Sequence, residues 1–220
     1  MSDVTGSNST REDVDFVESK IIDRCPACGS LHRTVTGGIA PEITVTISGL
    51  DFRQPPYHVQ ECSHCGLLYK DNVLADAALA AYYTRLDFKK WEIPGLFPNE
   101  RAVHEILRKL PANASILDFG CSSGRLLAPL VGEYTCYGVE INATAAHSAA
   151  ARGLKMLPAG AVNWALKFDA VVLMDVFEHL SSPTELLRQL TQHLRRGGIL
   201  IVGTGNADAA ACRLDPGQFW

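Results

Sequence analysis

Long apolar runs are missing from this 220-residue chain. The longest, at 170–174 and 199–202, fall far short of the roughly 20 residues a membrane-spanning helix needs. A helical membrane protein is therefore excluded. The first 20 residues are polar and acidic and lack an apolar core, so no secretory signal is expected and the cytoplasm is the expected location. An excess of basic residues is missing too. The net charge is −4, and a protein built around a long polyanion is usually basic, so nucleic acid is disfavoured as a partner. There is no internal repeat, which excludes a solenoid. Cysteine is scarce and odd in number, at seven, which argues against a disulfide framework in such a chain. What remains is ordinary: 47% hydrophobic and 20% charged residues, enough for a real core in one domain, with or without a small module.

Four stretches differ in character. Residues 1–19 are short of large apolar side chains and read as a disordered tail; Asn8-Ser9-Thr10 is a chance match to a glycosylation sequon. Residues 20–70 hold two Cys-x-x-Cys pairs, Cys25/Cys28 and Cys62/Cys65, each followed by glycine. Between them the alternating stretch Ile43 to Ser48 reads as a strand. Residues 71–110 look helical and linking. A helix is expected over 76–84, and an amphipathic one over 100–110 with Val103, Ile106, Leu107 and Leu110 on one face. His104 and His147 are expected to face solvent. From residue 111 to the end, strands alternate with helices. Strands are expected at 115–119, 136–141, 154–157, 170–174 and 199–203, with helices starting at 124, 143 and 183. Ser182-Pro183-Thr184-Glu185 reads as a capping box. This order predicts an α/β, doubly wound parallel sheet with ligands at the carboxyl ends of its strands.

Each Cys-x-x-Cys pair can present two thiolates from one tight turn. Two such turns supply four soft ligands in a tetrahedron, which suits structural zinc. Cys25, Cys28, Cys62 and Cys65 are the expected ligands of a zinc ribbon. Four thiolates leave no open position for catalysis. His32, His58 and His64 are expected at the surface.

The most informative stretch is Asp118-x-Gly120-x-x-x-Gly124, a strand running into a glycine turn. Glu140 ends the next strand, at the spacing of about 20 residues where an acid can accept both hydroxyls of a ribose. A dinucleotide needs Gly-x-Gly-x-x-Gly and a free helix N-terminus for its pyrophosphate. Asp118 stands where it would repel phosphate. It suits a nucleoside that carries a sulfonium and an ammonium group instead.

Those motifs, followed by Asp169 to Leu180 with its Asp175-x-x-Glu178-His179 pattern and by Arg196-Gly-Gly198, resemble the class I S-adenosylmethionine-dependent methyltransferases. Together with the cysteine pairs and Tyr82-Tyr83, the layout is similar to bacterial methyltransferases with an N-terminal zinc-binding region, several of which act in polysaccharide, deoxysugar or natural-product pathways. The resemblance implies a Rossmann-like domain over 111–220. It also implies an S-adenosylmethionine site built from Asp118, Gly120, Cys121, Ser122, Gly124, Glu140, Ile141 and Asp175. The expected partner is a small-molecule methyl acceptor. His179 is the candidate base, with Glu178 beside it. Asp-x-x-Glu-His also resembles the metal-holding Glu-x-x-Glu-His of some relatives; the shorter Asp175 disfavours a second divalent metal here.

Two departures from the family pattern stand out. The stretch after the third strand, 157–161, has no acid for the adenine amine, so backbone near Gly160 and Ala161 is expected to hold the base. The chain also stops at Phe219-Trp220, where the family adds an antiparallel hairpin. The expectation is an apolar edge at 199–203 belonging to a fragment, covered by a protein partner or a second copy, or left by degeneration. Two other readings follow: a ribosomal-RNA base methyltransferase with a zinc module, and a non-enzymatic zinc-ribbon protein with an inactive fold. Tyr82, Tyr83 and Trp91 are expected to pack between modules or close over the ligands.

Overall fold

The computed structural model describes residues 18–160 and 162–206, save the side chains of Lys90 and Trp91. The expectations for the N-terminal tail, Asn8, Ala161, Cys212 and the final residues lie outside that set.

The first half is built of short antiparallel strands: β1 (Ser19–Ile21), β2 (Arg33–Ala40), β3 (Ile43–Ile47), β4 (Leu50–Gln54), β5 (Tyr57–Cys62), β6 (Leu68–Lys70) and β7 (Asn72–Leu74). They form a β2-β5-β6 sheet, a β3-β4 hairpin and a β1-β7 pair. The sequence reading found β3 alone. The others were obscured by Gly37-Gly38 and Pro55-Pro56, which interrupt the apolar alternation. The β3-β4 turn is Ser48-Gly49, both with positive φ (53° and 78°), the backbone that a two-residue hairpin loop requires.

The chain then runs through α1 (Asp76–Arg85), α2 (Pro98–Leu107), β8 (Ser115–Phe119), β9 (Thr135–Val139), α3 (Ala143–Ala151), β10 (Lys155–Leu157), β11 (Phe168–Met174), α4 (Pro183–Gln192) and β12 (Leu194–Gly203). The last five strands make one parallel sheet in the order β10-β9-β8-β11-β12. It is the expected Rossmann-like sheet. Alternation along the strands gives it two buried faces. Ile116, Ala170 and Val172 join Val103, Leu107, Leu127 and Leu130 on one side. Leu117, Val171 and Leu173 join Val139, Phe168 and Leu190 on the other.

Several local expectations need correction. The helix expected from Gly124 is only turns and a short 3-10 segment at Ala128–Leu130. Pro129 removes a backbone donor there, and Gly132 follows too soon for a full helix. The capping box at Ser182 does not form: Ser182 makes no side-chain cap bond, and Glu185 instead binds Arg188 and Gln189. On α2, Ile106 is 40% exposed while His104 is buried, the reverse of expectation. His104 Nε2 lies 2.6 Å from Leu126 O, and that bond makes its burial affordable. His147 is exposed as expected. The fifth strand begins at Leu194, five residues early: Phe168 pairs with Leu194 and Ala170 with Ile199, and Arg195 to Gly198 form an irregularity in the register between those two pairs.

Candidate functional site

The strand order reverses at β8, whose two neighbours β9 and β11 lead to opposite sides of the sheet. Ligands of open α/β sheets bind outside the carboxyl ends of the strands at such a point. The glycine turn leaves β8 there. Gly120 has φ +80°, and an added Cβ would stand 2.4 Å from Val176 Cγ2. Gly124 has φ +78°, and its Cβ would meet the Ala149 backbone at 3.0 Å. Neither position accepts a side chain without displacement. Cys121 packs inward on Gly138, where a Cβ would meet its Sγ at 2.6 Å. Its thiol is buried and its pKa is raised by that burial, which disfavours the thiolate a nucleophile needs.

Three carboxylates converge behind this turn. Asp118, at the end of β8, is buried. Burial, with Glu140 and Glu100 nearby, pushes its carboxyl up to about 7. Glu140 follows β9 and accepts from Ser122 N (2.8 Å) and Asn142 N (2.7 Å). Burial raises its pKa while those bonds oppose the rise. Glu100 is tied to Arg125 at 2.6 Å. Ile141 is 44% exposed beside Glu140.

Past β11, Asp175 takes a left-handed backbone (φ 53°), and its N–H donates to Gly203 O at 2.9 Å. Glu178 and His179 sit on the 3-10 turn Phe177–His179. Glu178 accepts from Thr204 Oγ1 at 2.9 Å. Burial and the charge of Lys70 depress His179 to about 4, with Asp175 acting the other way. The ring is thus neutral at neutral pH. It can accept a proton, but only weakly.

Glu100, Asp118, Gly120, Cys121, Ser122, Asp175, Glu178 and His179 line one cleft of about 1260 Å³, whereas Gly124, Glu140 and Ile141 stand outside its lining. Its far wall is not part of the parallel sheet. Phe52, Tyr82, Tyr83 and His179 form a chain of ring contacts with centroids 5.4, 5.1 and 5.3 Å apart. Tyr82 and Tyr83 therefore both pack between the modules and face the ligand space. Lys70, from β6, reaches the same cleft.

Sequence reasoning missed three groups. Asn142 donates from Nδ2 to Tyr83 O, Thr84 O and Leu86 O at 3.0–3.1 Å, and its Oδ1 caps α3 at Ala145 N. Its place before an Ala-rich helix was a legible cap signal; the reach to α1 was not. Glu92 accepts from Ser123 Oγ and pairs with Arg152 at 2.8 Å, strapping the linker over the glycine turn. Lys70 carries no local signal at all.

The four paired cysteines come together as expected. Their Sγ atoms all lie within 4.8 Å of one another, with Cys25–Cys65 and Cys28–Cys62 at 3.6 Å. A disulfide would bring sulfurs to about 2.05 Å. Metal–sulfur bonds of about 2.3 Å in a tetrahedron set sulfurs about 3.8 Å apart, which fits. The two turns repeat one backbone pattern. Cys25 N donates to Ser30 O and Gly29 N to Cys25 O; Cys62 N donates to Leu67 O and Gly66 N to Cys62 O, all at 2.8–2.9 Å. Gly29 and Gly66 supply the positive φ. A backbone bond from Cys65 draws the Cys62 thiol down to about 6. His32 and His64 are exposed, and His58 faces Asp71 at 3.3 Å, away from ligand duty.

Comparison with known proteins adds a family. Residues 92–220 match the family described as methyltransferase domain. A ubiquinone biosynthesis O-methyltransferase from Caulobacter sp. strain K31 is 36% identical over 110 residues, covering 45% of this chain and 44% of that protein. One from Xanthomonas axonopodis pv. citri is 30% identical over 149 residues, covering 63% and 62%. The chain thus spans about half the length of the first of these relatives. Among solved structures, a methyltransferase from Thiobacillus denitrificans in complex with S-adenosylhomocysteine aligns at 20% identity and a TM-score of 0.44, covering 58% of this chain and 60% of that one. An amino-pentose methyltransferase of calicheamicin biosynthesis from Micromonospora echinaspora, with S-adenosylmethionine bound, aligns at 23% and 0.44, covering 49% and 50%.

Proposed function

Because the chain belongs to the methyltransferase-domain family, we propose that it transfers a methyl group from S-adenosylmethionine to an oxygen of a small-molecule acceptor. A sugar or natural-product intermediate is the acceptor class the sequence suggests. The oxygen is supported by the O-methyltransferase names of the curated relatives. The single observation that carries the reading is the convergence of Asp118 and Glu140 on the glycine turn at the switch point of the sheet. A buried carboxyl favours a cationic ligand, and a ribose needs an acceptor pair. Gly120, Cys121, Ser122 and Gly124 would pass under the methionine part, Glu140 and Ile141 would meet the nucleoside, and Asp175 would line the pocket.

S-adenosylmethionine, when bound, would supply an electrophilic methyl group on a sulfonium, and its in-line transfer to a hydroxyl oxygen would leave a neutral thioether and release the hydroxyl proton to a base. His179 is that base in this reading, with Glu178 beside it. Its depressed basicity lies well below the operating pH, which limits general-base assistance. Most of the acceleration then comes from holding the acceptor about 3–3.5 Å from the methyl carbon.

The cysteine quartet would hold one structural zinc through Cys25, Cys28, Cys62 and Cys65. Its sulfur spacing supports the assignment, and all four positions around the metal are taken by protein.

Calorimetric titration with S-adenosylhomocysteine tests the cofactor site. Saturable binding is expected, and Asp118→Ala and Glu140→Ala should each weaken it at least about tenfold. A folded chain that does not bind overturns the enzyme reading.

A further inference from the structure

The loop that carries Glu178 and His179 is lightly tied to its own domain. It leaves β11 through Asp175, whose left-handed backbone is uncommon for a residue with a side chain. Its 3-10 turn is closed by two long bonds. His179 N donates to Val176 O at 3.1 Å and Leu180 N to Phe177 O at 3.2 Å. Ser182, which precedes α4, makes no side-chain cap bond. A loop with so few bonds belongs to the low-stability end of a molecule.

A second anchor comes from the other half of the chain. Thr184, in the first turn of α4, donates from Oγ1 to Pro26 O at 2.9 Å and reaches Ala27 O at 3.3 Å. Pro26 and Ala27 are the two residues between Cys25 and Cys28. Lys20 Nζ donates to Ser181 Oγ at 3.2 Å, and Pro183, between these contacts, is buried. The loop is therefore fastened to the inside of a cysteine turn. Burial fixes that turn weakly, because its cluster is only Cys25, Cys62 and Tyr69, with Ile22 and Leu67 packed on it.

From this contact we propose that Thr184 is a positioning residue: it clamps the loop of Glu178 and His179 to the first cysteine turn, so that filling of the quartet by metal keeps the proposed base in the cleft. The inference rests on the structural-zinc and base readings above and makes one depend on the other. Bonds from Cys25 and Cys28 to one tetrahedral ion fix the backbone between them, and with it the two carbonyls that Thr184 needs. An empty quartet leaves those carbonyls without a fixed spacing, and the clamp loosens. A metal with no open position thus still bears on the chemistry.

The test uses the full chain, zinc-loaded and zinc-stripped. It reads the rate at which diethyl pyrocarbonate modifies His179, by peptide mass spectrometry. At about pH 7.5 the ring is neutral whether held or released, so the rate reports access and not charge. His147, exposed on α3, is the internal reference. Stripping zinc should speed modification of His179 about threefold to tenfold, the size set by the loss of one hydrogen bond. Thr184→Val should do the same in the zinc-loaded chain, and Thr184→Ser should restore the slow rate. Stripping zinc from Thr184→Val should then add less than about twofold, since both changes break one link. Amide exchange in β8 and β11 should stay slow throughout, which shows that the domain remains folded. If Thr184→Val loses that protection, Lys20→Met, which loosens the same clamp at Ser181, takes its place in the comparison. Equal His179 rates with and without zinc, or an undiminished zinc effect in the variant, overturn this inference alone. A folded chain that holds no zinc overturns the structural-metal reading and this inference with it.

Discussion

In the proposed cofactor site, Asp118 would couple proton binding to ligand binding. Its folded pKa, about 7, lies above its ordinary value of 3.8. A group raised in this way stabilises the fold below the ordinary value and loses that contribution as pH rises through about 7. A cationic cofactor prefers the ionised carboxylate, so its binding must release a proton in the same window. S-adenosylmethionine affinity should therefore rise between about pH 6 and 8. Calorimetry in buffers of different ionisation enthalpy should register the released proton, and Asp118→Asn should abolish both effects. A flat profile in the unaltered chain would remove Asp118 from the cofactor site. Asn142 is the other residue with consequences beyond its size. Replacing it with alanine deprives three carbonyls of α1's end of a donor and removes the cap of α3. The expected loss is about 2–4 kcal/mol, measured by urea unfolding. A change below about 0.5 kcal/mol, the usual size of a surface substitution, would contradict the account.

The elements divide into those that stand on burial and those that need a staple. β8 and β11 are lined on both faces by fully buried side chains such as Ile116, Leu117, Val171 and Val172. The antiparallel strands of the first half are not. Their clusters are small, one of Cys25, Cys62 and Tyr69 and one of Ala40, Tyr57 and Val59, and Val35 and Ile39 of β2 are largely exposed. Metal binding would thus contribute folding free energy there directly. Stripping the metal with a strong chelator after mercurial release of the thiols should yield a single zinc per chain. It should then speed amide exchange in β2, β5 and β6 and leave β8 and β11 protected. Uniform protection after stripping would sink the structural-metal reading.

At the scale of the whole molecule, the two parts are stitched together. Thr184 Oγ1, at the start of α4, donates to Pro26 O at 2.9 Å, inside the first cysteine turn. Lys20 reaches Ser181 Oγ at 3.2 Å. Both contacts lie just beyond Glu178 and His179, so the loop carrying those groups is held by the cysteine module on one side and by β11 on the other. The cleft owes its far wall to this docking. No described helix is long and apolar enough to cross a membrane. Among the described residues β12 pairs with β11 alone, and its Val202 is 40% exposed.

What the sequence determined by itself was local and periodic. The parallel sheet was legible because 115–119 and 170–174 are apolar runs separated by glycine turns and helices. The glycine turn at Gly120 and Gly124 was legible because its positive-φ backbone admits few residue types, and Asp118 and Glu140 were placed by the strands β8 and β9 beside it. The cysteine quartet was legible because each pair is a complete short motif. The tertiary structure decided the rest. Pro129 turned an expected helix into a short 3-10 segment, and a bond to Leu126 O drew His104 inside. Lys70, Tyr83 and Glu92 reached the cleft through contacts between segments far apart in the chain. Such residues leave no pattern in their neighbours, because what places them is the packing of one module on another and not the conformation of their own strand or helix.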